Sequence, residues 1–366
     1  MTPSKKGGGR KKVRKRNWDE RDADSPVFER KRFRGHQEGG ETHHLVEVFD
    51  DTIEPNAVVI SPYGLLAFIQ HGGEEHVAHV EDALTNGKTS FLAPGDRVLA
   101  EERGGEWFIK AVAPRRSHLS RPAIMKARVQ TLAANIDQLV IVTATKQPAF
   151  RPGLVDRFLI VAEKGGVRPI LCVNKTDLVK AIPEDAAVYR ELGIPVFETC
   201  CLTGDGIEEL RGQLENSVSV LAGHSGVGKS SIIHALDPDH DIATQEVSEA
   251  TEKGRHTTTA SRLYTLQGGI RIIDTPGIRE LGLWDITPES LDFYFPEIGE
   301  TAHGCRFRDC THTNEPGCAV KEAVETGAIS TQRYRSFLRI RESMTTDERE
   351  GRPPRNRTAP DDGPLP

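Results

Sequence analysis

Two short motifs in this chain combine residue types that suit the binding of a nucleoside triphosphate. The first, GHSGVGKSS, fits the pattern GxxxxGK[ST] and lies between the apolar segments VSVLA and SIIHAL. In such a strand–loop–helix unit the backbone N–H groups and the positive helix end receive phosphates. A chance glycine turn is the plain alternative. The predicted phosphate-binding residues are Gly223, His224, Ser225, Gly226, Val227, Gly228, Lys229, Ser230 and Ser231.

Within this loop, two side chains have chemical roles of their own. Lys229 is expected to reach the β- and γ-phosphates and so to assist catalysis, while the Ser230 hydroxyl is expected to bind Mg²⁺. A third short motif, DTPG, begins at the last residue of the segment IRIID. The carboxylate of Asp274 there can hold Mg²⁺, and the N–H of Gly277 can sense a γ-phosphate. This motif is weak evidence by itself.

The second motif, NKTD, follows the apolar segment PILCV and suits the recognition of a base. A carboxylate at Asp177 accepts from the N1–H and N2–H donors of guanine, which adenine does not offer. The ordinary alternative is a polar turn after a strand. Asn174, Lys175 and Asp177 are therefore predicted to bind guanine, and the three motifs each come at the carboxyl end of a strand, where α/β sheets bind ligands.

The elements that must position these residues follow from hydrophobic patterning. After Arg121, apolar strands such as QLVIVTA alternate with helical segments, including 184–192 and 207–214, which predicts a parallel sheet covered on both faces. Short strands separated by turns fill 44–120: LVEVF, NAVVI, LLAFIQ, EHVAHV, PGDRVLAEE and WFIKAVAP. They predict a small closed barrel of the OB type, although any small β-barrel fits the spacing equally well.

Cysteine and histidine cluster near the C-terminal end. Cys305, Cys310, His312 and Cys318 have the spacing C-x4-C-x-H-x5-C, which supplies three thiolates and one imidazole and closes a tetrahedral shell. One structural zinc ion per chain is predicted, the alternative being a loop with idle cysteines. His303 is a possible substitute ligand. The arginines Arg306 and Arg308 between the ligands are placed to meet RNA phosphates.

Charge and composition limit the class of protein. Residues 1–36 contain thirteen Lys or Arg and five Asp or Glu, a net charge of about +8. Because the whole chain has a net charge of −6, the remainder has about −14. This glycine-rich tail is expected to be disordered, either as a solubilising extension or as an arm along nucleic-acid phosphates. The C-terminal tail, residues 346–366, is expected to be unfolded too. No apolar run has the length of a membrane helix, so no membrane partner is predicted. The six cysteines, four of them in two local pairs, suit a reducing compartment, and we therefore predict a cytoplasmic protein.

The order of the motifs is reversed relative to most nucleotide-binding chains, because NKTD precedes the glycine loop. The chain looks like a translational-type GTPase domain in circular permutation, which keeps the site geometry while changing the connectivity. We predict a multidomain protein with an N-terminal OB-like β-barrel, a central α/β P-loop GTPase domain and a C-terminal, mostly α zinc-binding module. Its parts are expected at 1–43 (basic tail), 44–120 (barrel), 121–284 (permuted GTPase domain), 285–345 (zinc module) and 346–366 (tail).

These features together with the stretches GRHTTT, PRRSHLSRP and CRFRDCTHTNEPGC resemble the bacterial small-ribosomal-subunit biogenesis GTPases, the RsgA/YjeQ family. The resemblance covers about 44–345. It implies a GTPase that hydrolyses GTP to GDP and phosphate in late 30S maturation, stimulated by the small ribosomal subunit, with 16S-type rRNA bound through barrel and zinc module. The implied cofactors are Mg²⁺ with GTP and one structural Zn²⁺, and we expect a monomer.

The resemblance also suggests residues for the remaining roles. Many GTPases orient the attacking water with a glutamine after DxxG, but this chain has Ile278 there, so the role is carried over to His256 of GRHTTT. A surface histidine without function is the alternative. One of the three threonines that follow is expected to complete the Mg²⁺ shell, and Thr258 is favoured. The base-supporting loop is read at ETCCLTGDG, where Cys200 and Cys201 replace the family's Ser-Ala.

Two other functions remain open from the sequence. The first is an ATP-using P-loop enzyme, in which the NKTD sequence would occur by chance. Competition of ATP against bound GTP tests this alternative. A non-catalytic, GTP-sensing scaffold that binds rRNA is suggested by Ile278. Single-turnover kinetics on the subunit distinguish the scaffold, which leaves bound GTP intact.

Overall fold

The computed structural model describes residues 48–85, 90–122, 129–239, 261–274, 283 and 286–349 of the chain. The predicted tail 1–43 lies wholly outside these residues, and of the predicted tail 346–366 only 346–349, the end of the last helix, is described. Within the described helices, none has the combination of length and apolar character needed to cross a membrane.

The N-terminal part is a closed five-stranded barrel with the strand order β1-β2-β3-β5-β4. Strand β3 runs parallel to β5, and β4 closes the barrel against β1, an arrangement that suits an OB fold. Alternate side chains such as Val59, Ile69 and Ile109 point inward and are fully buried. The strands are β1 (Ala57–Tyr63), β2 (Leu66–His71), β3 (Glu74–Val80), β4 (Arg97–Arg103) and β5 (Glu106–Val112).

The predicted strand LVEVF is not observed in its described part. Val48 and Phe49 have no strand conformation, although Asp50 donates its N–H to the carbonyl of Val112 at 2.9 Å. The Phe49 ring instead packs edge-on against Phe91, with centroids 5.6 Å apart. Of the described residues, Phe49 thus packs against the barrel core through its ring, and the chain makes a single backbone bond to β5 there without forming a strand.

A two-stranded antiparallel sheet, β6 (His118–Pro122) and β7 (Val129–Ala134), connects the barrel to the larger sheet. It is fixed to the barrel by Arg115, whose guanidinium forms a buried ion pair with Asp96 at 2.7 Å and donates to the Thr131 hydroxyl at 3.0 Å. The connection is therefore a packed element of the fold.

The central part is a six-stranded sheet in the order β10-β9-β8-β11-β13-β12, parallel except for β12. All seven residues of β8 are buried, as a strand covered on both faces requires. The strands are β8 (Gln138–Ala144), β9 (Arg168–Asn174), β10 (Val196–Glu198), β11 (Val218–Ala222), β12 (Arg262–Thr265) and β13 (Arg271–Asp274). The helices are α1 (Pro152–Gly165), α2 (Glu184–Glu191), α3 (Ile207–Leu214) and α4 (Lys229–Leu236).

Helices cover the two faces of this sheet in pairs. Phe158 of α1 and Tyr189 of α2 belong to the apolar cluster on one face, and Leu210 of α3 and Ile232 of α4 to the cluster on the other. Helix α1 starts with Pro152 in its first turn and ends at a left-handed Gly166 cap, whose N–H bonds to carbonyls of the last turn.

The C-terminal part is helical, as predicted. It comprises a 3-10 helix (Pro288–Tyr294), α5 (Pro296–Ala302), α6 (Ala319–Glu325) and α7 (Thr331–Arg349). Its core includes Phe295 and Phe337 together with Ile160 of α1. The C-terminal part is joined to the central part by Arg333 of α7, which forms buried ion pairs with Asp156 of α1 and Glu297 of α5.

Candidate functional site

The three nucleotide motifs lie at the same edge of the sheet. NKTD begins at the last residue of β9, the glycine loop follows β11, and Asp274 is the last residue of β13. Only β8 separates β9 from β11, and β13 pairs with the other side of β11. Because the carboxyl ends of parallel strands share one edge, the reversed sequence order does not separate the motifs in space.

Asn174 joins the base motif to the phosphate loop. Its side chain is buried, and its Nδ2 donates to the carbonyl of Val227 at 2.9 Å. A side chain at Gly228 has no room beside this amide, since a Cβ built there falls 2.2 Å from Asn174 Nδ2. Gly228 also has φ of +100°, in the left-handed region that favours glycine.

Lys175 makes a second connection between the two motifs. Its backbone is left-handed, with φ of 61°, which turns the side chain across the edge of the sheet. The ammonium group donates to the carbonyls of Gly226 and Gln147, each at 2.6 Å. Asp177, at the end of the same motif, is exposed and accepts a hydrogen bond from the Cys200 thiol at 3.2 Å.

The glycine loop leads directly into a helix, as the motif predicts. Helix α4 begins at Lys229, so Ser230 and Ser231 lie in its first turn. The Lys229 ammonium lies across the loop and donates to the carbonyls of Gly223 and His224 at 3.1 and 3.0 Å. A lysine in this place is positioned to exchange loop carbonyls for phosphate oxygens.

Two side chains of the loop after β10 orient the Asn174 amide. The Thr199 hydroxyl donates to Asn174 Oδ1 at 3.2 Å, and the Cys201 thiol donates to the same oxygen at 3.6 Å. Burial raises the pKa of Cys201, which keeps its sulfur protonated and able to donate. With Oδ1 engaged in this way, Nδ2 must face the phosphate loop.

The sequence alone did not identify three of these contact residues. Thr145 donates its hydroxyl and its N–H to carbonyls of the NKTD turn, Gln147 accepts from Lys175, and Thr199 orients Asn174. The one available signal was that Thr145 directly follows β8, at the same carboxyl edge as the motifs. Gln147 contributes only a carbonyl, which no residue type reveals.

Two oxygen donors suited to Mg²⁺ belong to elements at the carboxyl edge of the sheet, Ser230 in the first turn of α4 and Asp274 at the end of β13. Hard oxygen ligands of this kind are what Mg²⁺ prefers. Asp274 is paired with Arg262 of β12, two residues before Tyr264, and burial raises the pKa of Tyr264 with the Asp274 charge adding to the effect. The predicted site residues Gly277, His256 and Thr258 lie outside the described residues.

The predicted metal ligands come together in the C-terminal module. One donor atom from each of Cys305, Cys310, His312 and Cys318 lies within 4.8 Å of all the others. His303 does not belong to this group. Burial opposes ionisation of Cys318, but hydrogen bonds from the Lys321 N–H and His312 lower the pKa of its thiol. The donor set is therefore compatible with a tetrahedral metal site without an open position.

Further groups hold the metal-ligand loop in shape. The His312 Nε2 faces Asp292 Oδ2 at 3.2 Å, which leaves Nδ1 directed to the sulfurs of Cys305 and Cys318. Glu315 accepts hydrogen bonds within the loop, notably from Thr311. Burial opposes its ionisation, yet these bonds lower the pKa of Glu315 to about 2. Asp292, twenty residues before His312, carried no sequence signal for this role.

Comparison with known proteins agrees with this arrangement. The family model for the RsgA GTPase matches residues 112–284. The small ribosomal subunit biogenesis GTPase RsgA of Saccharophagus degradans is 44% identical over 263 residues, covering 69% of this chain and 76% of that protein. The corresponding protein of Ectopseudomonas mendocina is 40% identical over 301 residues, covering 81% and 87%.

Two solved structures share the fold. The crystal structure of YjeQ from Thermotoga maritima has a TM-score of 0.63 and 32% identity, with 80% of this chain and 98% of that chain covered. YloQ, described as a circularly permuted GTPase, has a TM-score of 0.62 and 27% identity, with coverage of 84% and 98%. This chain thus belongs to the RsgA GTPase family, with its GTPase domain in circular permutation.

Proposed function

We propose that this chain binds GTP at the joined motifs and hydrolyses it to GDP and phosphate on the small ribosomal subunit, late in 30S maturation. The observation that carries the proposal is the pair of contacts from Asn174 and Lys175 to the phosphate loop. They bring a guanine-selective turn and a phosphate cradle to one place, and a single GTP spans both. The names of the relatives supply the ribosomal context.

In this proposal each motif has a distinct chemical task. Asp177 accepts from the two guanine donors, supported by the Cys200 thiol, and the Cys200–Cys201 backbone lines the base. The N–H groups of the loop from Gly223 to Ser231 and the Lys229 ammonium receive the phosphates. Ser230 and Asp274 hold Mg²⁺, which neutralises phosphate charge when bound.

The remaining assignments are carried over from the family resemblance. His256 orients the attacking water, Thr258 completes the Mg²⁺ shell and the Gly277 N–H meets the γ-phosphate. We propose that Zn²⁺ occupies the Cys₃His cluster as one structural ion, and that barrel (44–120) and metal module (285–345) contact 16S-type rRNA on either side of the GTPase domain (121–284). The protein acts in the cytoplasm as a monomer.

Nucleotide turnover with and without purified 30S subunits tests the proposal. We expect the subunits to raise GTP hydrolysis, and a Lys229→Ala variant to lose it by a factor of at least about a hundred, because the ammonium that stabilises the transferring phosphoryl group is gone. ATP is expected not to displace bound GTP. Turnover that the subunits leave unchanged contradicts the ribosomal assignment.

A single-turnover measurement on the subunit separates an enzyme from a nucleotide-sensing scaffold. The enzyme converts bound GTP to GDP within one binding event, whereas the scaffold retains GTP. Glu208→Gln is a suitable control variant, since Glu208 lies at the exposed start of α3 and its ion pair with Arg211 stays within that helix. It is expected to hydrolyse GTP like the unmodified chain.

A further inference from the structure

The barrel contacts the GTPase sheet at its edge strand β12. The hydroxyl of Ser61 on β1 donates to the carbonyl of Ser261 at 2.9 Å, immediately before β12. The guanidinium of Arg262, the first residue of β12, bonds to the carboxylate of Glu75 on β3 at 2.6 Å. The same guanidinium lies over the ring of Phe68 on β2, 5.5 Å from its centroid. Three barrel strands therefore meet two consecutive residues.

Arg262 is also the direct partner of Asp274 across the β12–β13 pair. Side chains at directly opposed positions of an antiparallel pair lie on one face, with Cβ atoms about 4.5–5.5 Å apart. Tyr264 lies on the same side of β12, and both Arg262 and Asp274 influence its hydroxyl electrostatically. A long arginine at this position is within reach of the carboxylate assigned to Mg²⁺, and a guanidinium–carboxylate pair competes with a cation.

We propose that Glu75 of the barrel is a positioning residue, which holds the Arg262 guanidinium away from Asp274 and so keeps that carboxylate available to Mg²⁺. The inference rests on the proposed function, because it assumes a guanine nucleotide with Mg²⁺ at this site. Two observations support it. The guanidinium of Arg262 is paired with the barrel carboxylate of Glu75, and the strand partner of Arg262 is Asp274.

One consequence is a link between barrel position and metal affinity. While the barrel is docked, the positive charge of Arg262 is neutralised by Glu75. If a partner draws the barrel away, the freed guanidinium turns to Asp274 and lowers the affinity for Mg²⁺. Linkage is reciprocal, so Mg²⁺ at the nucleotide also favours the docked barrel.

The test measures release of a fluorescent GDP analogue from the full-length chain over a series of free Mg²⁺ concentrations. Glu75→Gln is expected to raise the Mg²⁺ concentration for half-maximal retention roughly two-fold to five-fold, as suits a half-exposed ion pair. Glu75→Lys is expected to shift it further in the same direction. Arg262→Gln and the double variant with Glu75→Gln are expected to match the unmodified chain, because the competing charge is absent.

Glu81→Gln is the matched control. Glu81 is another barrel carboxylate, paired with Lys110 and Arg103 of the barrel itself, so its loss changes net charge equally without touching β12. The shift in Glu75→Gln is expected to shrink at high salt. Thermal melting checks that each variant folds.

Two results overturn the inference while leaving the proposed function intact. Equal shifts in Glu75→Gln and Arg262→Gln mean that the pair acts only as a docking contact. No shift in Glu75→Gln or Glu75→Lys means that Arg262 does not compete for Asp274. Failure of the unmodified chain to bind the GDP analogue at any Mg²⁺ concentration is a different outcome, because it contradicts the proposed function itself.

Discussion

At residue 228 the phosphate loop has no space for a methyl group. A Cβ there falls 2.2 Å from the Asn174 amide, and the backbone φ of +100° already disfavours any other residue. Gly228→Ala is therefore expected to push Asn174 off the Val227 carbonyl and to weaken GDP binding by roughly ten-fold or more, since a buried donor loses its acceptor. Equilibrium titration with a fluorescent GDP analogue measures the change.

Gly212 offers a control for this substitution. It lies within α3, and a Cβ built there meets no atom within 4 Å. Gly212→Ala is expected to leave GDP affinity unchanged and to stabilise the protein by about 0.5–1 kcal/mol, because alanine loses less backbone entropy in a helix. Equal GDP affinity of Gly228→Ala and the unmodified chain contradicts the assignment of the loop.

At this scale the sequence singled out two of the residues whose side chains join the motifs. Asn174 and Lys175 belong to a pattern whose residue types are required by hydrogen-bonding geometry, and both contact the phosphate loop. Gln147 and Thr199 were not predicted. Gln147 contributes only its carbonyl, and Thr199 acts on Asn174 through a hydroxyl that many threonines at strand ends possess.

At the scale of elements, a buried arginine joins α7 to the GTPase domain. Arg333 bonds to Asp156 and Glu297, and its guanidinium lies 4.2 Å from the centroid of the Phe295 ring. Removal of the cation leaves two buried carboxylates without their cationic partner. Arg333→Leu is therefore expected to lower the free energy of unfolding by about 3–5 kcal/mol, measured by urea denaturation.

Arg335, two residues further along α7, is exposed and serves as the control. Arg335→Leu is expected to change the free energy of unfolding by less than about 0.5 kcal/mol. A similar small effect of Arg333→Leu contradicts the view that this ion-pair group fixes the helical module to α1.

The metal-ligand loop between α5 and α6 has few apolar residues to hold it, so its order is expected to depend on the ion. Cys318→Ser removes a buried sulfur donor from the cluster and is expected to abolish binding of the proposed zinc ion and to lower the melting temperature. Elemental analysis of the purified protein measures the metal. Cys201→Ser, at a cysteine outside the cluster, is expected to retain it.

The elements themselves were predictable to different degrees. Strand β11 and helix α3 have the bounds read from the sequence, because apolar residues and glycine or asparagine turns delimit them closely. The segment LVEVF has a strand-like composition, yet its described residues pair with no strand. Strand formation depends on a partner with free backbone groups, and β1 to β5 already close the barrel on themselves.

For the whole molecule, the reversed motif order left the architecture of the site unchanged. The sheet order places β8 between β9 and β11, so NKTD and the glycine loop meet across one strand whichever comes first in the chain. What the sequence could not reveal was how the barrel sits on this sheet. That contact rests on Ser61, Glu75 and Arg262, polar residues that have no shared pattern, and its two hydrogen bonds join positions 200 and 187 apart in the chain.

The uneven charge of the chain leads to a prediction about its docking on RNA. The first 36 residues have a net charge of about +8, while the remainder has a net charge of about −14. If the chain binds RNA, we therefore expect the basic tail to supply much of the attraction to the phosphates. Each phosphate neutralised by Lys or Arg releases counterions, which makes affinity fall steeply with salt. A chain that starts at His36 is expected to bind 30S subunits at least about ten-fold more weakly at low salt, with a shallower salt dependence, while GDP affinity is unchanged. Co-sedimentation with 30S subunits across a salt series measures the subunit affinity and its salt dependence. If affinity and slope stay as in the full-length chain, the tail is a solubilising extension, and the RNA contacts must come from the folded parts despite their negative charge.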